Sequence, residues 1–133
     1  MKAMNISKQL SANDAGETGG HQSGILVPKR EELLAFFPRL DLAKYNPRAH
    51  IYFIDEAGSK WEFAFIYYNN ALFGGTRNEY RLTRMTKYIR ESALVTGDEI
   101  RLSRDDKGNY SVAFSRKKEI RLSERNVLTL GSG

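Results

Sequence analysis

The chain has no cysteine and two histidines, His21 and His50, far apart in its 133 residues. The missing cysteines exclude disulfide staples, a thiol nucleophile and cysteine-ligated zinc. With so few histidines, no metal site and no cofactor are expected. Long apolar runs are absent too: none approaches the ~20 residues that span a bilayer. The N-terminus, MKAMNISKQL, lacks the apolar centre of a signal peptide, so a soluble, cytoplasmic protein with no membrane partner is expected. Proline is scarce, and no internal repeat or linker divides the chain. Residues 1–130 are therefore expected to form a single domain large enough to fold alone, with 131–133 (GSG) reading as an appended cloning scar.

Positive charge is in excess, with 21 Lys+Arg over 16 Asp+Glu and a net charge of +5. It is concentrated in two places. Residues 72–91 hold five basic residues against Glu79 and Glu91, and residues 116–125 hold five against Glu119 and Glu124. Two such segments meeting on one face form the footprint of a phosphate-backbone binder.

Apolar patterning predicts mostly strands. Residues 5–10 alternate weakly through Ile6, Lys8 and Leu10. Residues 24–28 (GILVP) form a short apolar strand that Pro28 closes. A helix over 29–37 is expected, with Pro28 at its entry, Glu31 and Glu32 near its N-terminal dipole and Leu33, Leu34, Phe36 and Phe37 on its buried side. Segments 49–56 and 60–69 are rich in β-branched and aromatic residues and flank Ala-Gly-Ser, which is a hairpin signal. Both faces of the second are apolar, so it should be central. Residues 70–75 turn, with Leu72 and Phe73 expected to anchor the turn in the core, and an edge strand follows through Tyr80 and Leu82. A helical turn is expected at 86–93, a second hairpin at 99–103 and 110–115 around RDDKGN, and short strands at 120–122 and 127–130. The sum is a mainly β fold: a seven- to eight-stranded antiparallel open pseudobarrel with one or two short helices.

Two stretches fit neither core nor simple turn. Residues 11–24 (SANDAGETGGHQSG) carry four glycines and no aliphatic side chain larger than alanine, which makes a loop of unusual length for a compact domain. Residues 73–84 (FGGTRNEYRLTR) place two glycines ahead of Arg77, Asn78, Glu79 and Arg81. Arginine matches the paired acceptors of guanine, asparagine the acceptor–donor pair of adenine, and a carboxylate the amino group of cytosine. A bland alternative exists for each: Asp14 capping a turn, His21 as an ordinary loop residue, Arg81 pairing with Glu79 along a strand.

Catalytic groups are poorly represented. A nuclease site needs carboxylates converging on a divalent ion, and the nearest match is Asp98 with Asp105. That pair is separated by a strand, and Asp105 suits a hairpin tip. The aromatic stripe Trp61, Phe63, Phe65 and Tyr67 is a possible single-strand stacking platform, although core is the more economical reading.

Taken together, LSANDAGETGGHQSGILVP (10–28) and IYYNNALFGGTRNEYRLTR (66–84) resemble the N-terminal effector domain of EcoRII-type (type IIE) restriction endonucleases, whose DNA-binding pseudobarrel is shared with plant B-three domains. The resemblance implies two arms, 11–22 and 75–81, that enter the major groove and grip a short pseudopalindrome of the CCWGG kind. It implies a non-catalytic sensor whose catalytic nuclease domain is a separate partner, and a monomer that binds duplex DNA. Carried over by position, base-reading falls to Asn13, Asp14, Thr18, His21 and Gln22 on the first arm and Arg77, Asn78, Glu79 and Arg81 on the second. Backbone contacts fall to Lys8, Lys29, Thr76, Tyr80, Arg84 and Lys87. The chain departs from the family pattern at Leu26, which replaces a tyrosine, and at Gly75 and Tyr80, which replace lysines.

Overall fold

The computed structural model describes residues 2–17 and 24–117. Alternating buried and exposed side chains resolve into seven strands: β1 (Met4–Gln9), β2 (Ile25–Val27), β3 (Arg48–Ile54), β4 (Lys60–Tyr68), β5 (Glu79–Thr83), β6 (Glu99–Arg104) and β7 (Tyr110–Ser115). Two short helices, α1 (Glu31–Leu34) and α2 (Thr86–Glu91), and a 3-10 turn at Asn70–Phe73 complete the described elements. The sheet runs β1-β6-β7-β3-β4-β5-β2. Its neighbours are antiparallel except for a short parallel junction that sets Phe53 beside Tyr110 and Ile54 beside Ser111. The sheet curls into a half-barrel whose outermost described strands, β1 and β2, bound an apolar cleft of about 370 Å³ lined by Ile6, Ile25, Val27, Phe37, Ile100 and Leu102.

The hairpins follow from local turn chemistry. Asp55 accepts from the N–H groups of Ala57 and Ser59 at 2.9 and 2.8 Å and from Trp61 Nε1 at 2.9 Å. Asp105 makes the corresponding loop in the second hairpin, accepting from Lys107 N and from Asn109 N and Nδ2. These side chains replace the backbone partners that a tight turn leaves open.

The aromatic stripe of β4 is core. Phe63 and Phe65 are buried on its inner face beside Phe53 of β3, while Ala64 and Ile66 are buried on the other, as a central strand requires. Each large apolar side chain so buried stabilises the fold by roughly 2 kcal/mol. Arg104 is also buried, donating to the carbonyls of Ala35, Phe36 and Lys2.

Several expectations need correction. The first helix covers Glu31–Leu34 rather than 29–37: Arg30 remains extended, and Phe36 and Phe37 leave the helix to enter the core. Leu72 and Phe73 do not anchor the second arm. They are 71% and 52% exposed, because the 3-10 turn points them outward and Phe73 packs on exposed Tyr45. β5 is internal rather than an edge, since β2 covers its outer side. The strands expected at 120–122 and 127–130 and the tail at 131–133 lie outside the described residues, as do Thr18, His21 and Gln22.

Candidate nucleic-acid interface

The first arm joins β1 to β2, the outermost described strands of the half-barrel. It leaves β1 at Leu10, which is buried and exchanges backbone hydrogen bonds with Asp98 and Gly97. Ser11 and Asp14 then cap each other: Ser11 N donates to Asp14 Oδ2 at 3.0 Å and Asp14 N to Ser11 Oγ at 3.1 Å. Lys8 lies 3.6 Å from the same carboxylate. Residues 11–17 thus coil into a compact turn in which Asn13 is exposed. Glu17 fixes the far side of the turn by accepting from both N and Oγ1 of Thr96. The capping reading of Asp14 therefore holds in the free protein.

The arm returns to the sheet at Gly24, whose φ is +85°. A Cβ there would stand 2.3 Å from the carbonyl oxygen of Leu82, so the approach of β2 to β5 demands glycine. β2 pairs with β5 over three positions, Ile25 with Leu82, Leu26 with Arg81 and Val27 with Tyr80.

The second arm leaves from the opposite end of that ladder. The 3-10 turn closes at Gly74 (φ +90°), and Gly75 N donates to Asn70 O at 2.7 Å. The two glycines make a closed turn rather than a loose hinge. Thr76 is exposed at the tip. Beyond it, Arg77 donates to Glu79 Oε1 from Nε (3.0 Å) and Nη2 (2.9 Å), and Arg81 Nη2 reaches Glu79 Oε2 at 3.3 Å. Burial raises the Glu79 carboxyl, but hydrogen bonds from Arg77 and Arg81, reinforced by their charges, carry it below the ordinary value. Arg81 Nη1 also donates to Gly24 O at 3.0 Å, which ties the foot of one arm to the foot of the other. The arm roots are separated by about four residues of strand, roughly 13 Å.

The remaining expected contacts surround this array. Lys29 sits 5.6 Å over the Tyr67 ring. Tyr80 is sandwiched between Phe65 and Tyr67, and burial followed by the nearby Tyr67 raises its hydroxyl. Arg84 pairs with Glu62 at 3.7 Å, and Lys87 is exposed on α2. Sequence reasoning did not single out Tyr67 and Tyr68 as arm residues. Tyr67 OH donates to Asn78 Oδ1, and the Tyr68 ring lies 3.9 Å from Arg77 Cζ. Their position directly before the second arm was the available signal.

The carboxylates of the nuclease alternative do not converge. Asp98 is buried, accepting from Val95 N and Lys117 N, while Asp105 is spent in its hairpin turn. They flank opposite ends of β6, on the order of 20 Å apart.

Comparison with known proteins follows the same geography. Type II restriction enzyme EcoRII of Escherichia coli is 45% identical over 84 residues, covering 58% of this chain and 20% of that protein. Auxin response factor 10 of Oryza sativa subsp. indica is 30% identical over 113 residues, covering 85% of this chain and 15% of that protein. The chain thus spans a fifth or less of these relatives. Among solved structures, the Arabidopsis FUS3–DNA complex superposes with a TM-score of 0.63 at 22% identity, covering 84% of this chain and 95% of that chain. That likeness identifies the fold as the pseudobarrel of plant B-three domains. The model of the family described as "Restriction endonuclease EcoRII, N-terminal" matches residues 1–100, a span that includes both arms and the ladder between them, and the chain belongs to that family.

Proposed function

We propose that this chain is the sequence-specific, double-stranded-DNA-binding domain of a restriction endonuclease, itself non-catalytic and joined in the full protein to a separate nuclease domain. The observation that carries the reading is the Arg77–Glu79–Arg81 array at the foot of the second arm, tied through Arg81 to Gly24 at the foot of the first. It gives the two arms a common base. Their roots, roughly 13 Å apart, match the scale of a B-DNA major groove, ~12 Å wide. A named relative is a restriction enzyme, and the solved neighbour is a complex with DNA.

In this reading the arms enter the major groove and a single copy grips a short pseudopalindrome of the CCWGG type. Arg77 and Arg81 supply donors to guanine, and Glu79 and Asp14 supply acceptors to cytosine amino groups. Asn13, Thr18, His21, Gln22 and Asn78 complete base recognition, while Lys8, Lys29, Thr76, Tyr80, Arg84 and Lys87 face the backbone. Asp14 reads a base after exchanging its hydrogen bond from Ser11 N for one from DNA.

Selection from a pool of randomised duplexes tests this reading. A short, two-fold-related motif bound by a monomer is the expected outcome. Recovery of no motif, or stronger binding to single strands than to duplex, would overturn it.

A further inference from the structure

Two consecutive tyrosines end β4, and successive side chains on a strand face opposite sides. Tyr67 faces inward, where its ring stacks on Tyr80 at 4.3 Å; Tyr80 stacks on Phe65 at 5.4 Å, and Phe65 on Phe37 at 4.2 Å. This ladder runs from the core to the foot of the second arm, where the Tyr67 hydroxyl donates to Asn78 Oδ1. Tyr68 faces outward in register with Glu79. Its ring supports the Arg77 guanidinium at 3.9 Å while Glu79 Oε1 holds the Nε–Nη2 edge of the same group. A guanidinium fixed by a ring beneath it and a carboxylate along one edge keeps one orientation. Its other edge, Nη1 with Nη2, then points away from Glu79.

Resting on the proposed DNA-binding reading, we infer that Tyr67 and Tyr68 are the positioning residues of the second arm: Tyr68 fixes the plane of the Arg77 fork, and Tyr67 fixes the amide of Asn78. The chemistry of the partner follows from what the two residues leave outward. Arg77 presents a planar pair of N–H donors, matched to the N7 and O6 acceptors of a guanine. Asn78, its oxygen engaged by Tyr67, presents its amide N–H groups to a second acceptor. The arm entry is therefore biased toward acceptor-rich base edges, with guanine opposite Arg77. Neither tyrosine needs to touch DNA for this, which separates their role from that of the arginines.

The test compares the chain with its Tyr68→Leu, Tyr68→Phe and Tyr67→Phe variants, using the duplex enriched by selection and a scrambled duplex of equal length. Tyr68→Leu should lower affinity for the enriched duplex on the order of tenfold, as expected for loss of an arginine–aromatic contact in a partly desolvated setting. Scrambled binding and the salt dependence should stay as in the parent. Tyr68→Phe keeps the ring and should restore discrimination to within about twofold of the parent. Tyr67→Phe, which removes only the hydroxyl, should lose selectivity at the base pair that meets Asn78. In the DNA-free protein, the Arg77 Nε–H resonance should be shifted upfield by the Tyr68 ring, and the shift should vanish in Tyr68→Leu and persist in Tyr68→Phe. Unchanged discrimination in Tyr68→Leu while the parent discriminates would overturn the role of Tyr68, and unchanged selectivity in Tyr67→Phe that of Tyr67. Loss of scrambled binding equal to that of enriched binding would overturn the positioning role. Absence of discrimination in the parent would instead defeat the DNA-binding reading on which the inference rests, and the resonance shift would still report on the geometry.

Discussion

Replacing Arg77 with lysine isolates base reading from charge. Lysine keeps the positive charge but concentrates it on one ammonium without a planar fork. In the free protein, Glu79 Oε1 holds the Nε–Nη2 edge of Arg77 at 3.0 and 2.9 Å with the guanidinium 3.9 Å from the Tyr68 ring, which leaves Nη1 outside the pair with Glu79. A bidentate contact from the Nη1–Nη2 edge to guanine discriminates by about 1–3 kcal/mol. Lysine retains part of it through a single donor, so a loss of about 1–2 kcal/mol, or roughly five- to thirtyfold, is expected on the selected duplex. Scrambled duplex should be bound within about twofold of the parent, because non-specific binding follows charge and lysine conserves it. Stability should change by less than about 1 kcal/mol, since the Arg77–Glu79 pair is partly exposed, with side chains 39% and 28% accessible. Fluorescence anisotropy with both duplexes across a salt series measures all three quantities when paired with a thermal melt. Equal losses on the two duplexes would refute the argument and reassign Arg77 to the phosphate backbone.

Gly24→Ala should destabilise the fold by about 2–4 kcal/mol, because a positive φ and a 2.3 Å approach to a carbonyl are both unfavourable for a Cβ; a chemical-denaturation difference below about 1 kcal/mol would show that β2 does not lie so close to β5. The carboxyls of Glu79, Asp55 and Asp105 are all held below their ordinary values in the folded chain. Their stabilisation is present above the unfolded carboxylate value, about 4, and is lost as pH falls through the lower folded values. Melting temperature should thus drop below about pH 4.5, and Glu79→Gln should make the drop shallower; an unchanged acid limb would rule out the Arg77–Glu79–Arg81 coupling. Tyr80→Lys returns a cation of the family pattern and should steepen the salt dependence by about one unit. It also removes the ring stacked between Phe65 and Tyr67, so thermal stability should fall by about 1–2 kcal/mol; an unchanged salt slope would place position 80 away from the phosphates.

Features governed by near neighbours were legible in the sequence. Asp-Glu-Ala-Gly-Ser and RDDKGN close their hairpins through side chain-to-backbone bonds a few residues long, and such bonds depend on little else. Three errors share the opposite cause. β5 looked like an edge because its outer neighbour, β2, is three residues long and some fifty-five residues earlier, and nothing in ILV names its partner. Apolar character alone makes Leu72 and Phe73 read as anchors, yet the 3-10 turn ending at Gly74 decides their direction. The helix at 29–37 was overextended because Pro28 and Glu31 are true start signals, whereas the pull of Phe36 and Phe37 into the aromatic core is a tertiary effect. The residues of the second arm were readable as a list. Tyr67 and Tyr68 were not assigned to it, since an aromatic residue on a strand is core far more often than it is a support for an arginine.

Arg77 and Arg81 look equivalent in TRNEYR, but the fold gives them different physical situations. Arg81 is 19% accessible, its two terminal nitrogens are engaged by Gly24 O and Glu79, and its Nε is buried without a partner among the described residues. Arg77 is twice as accessible, and its Nη1 takes no part in the pair with Glu79. Any base contact by Arg81 must either share a donor already in use or release Gly24, and releasing Gly24 loosens the foot of the first arm. In the proposed reading, recognition by Arg81 would depend on its contact with Gly24, whereas recognition by Arg77 would not. A substitution at position 81 should disturb selectivity in both half-sites, and one at position 77 in its own half-site alone. That asymmetry is a property of the single β2–β5 ladder from which both arms depart.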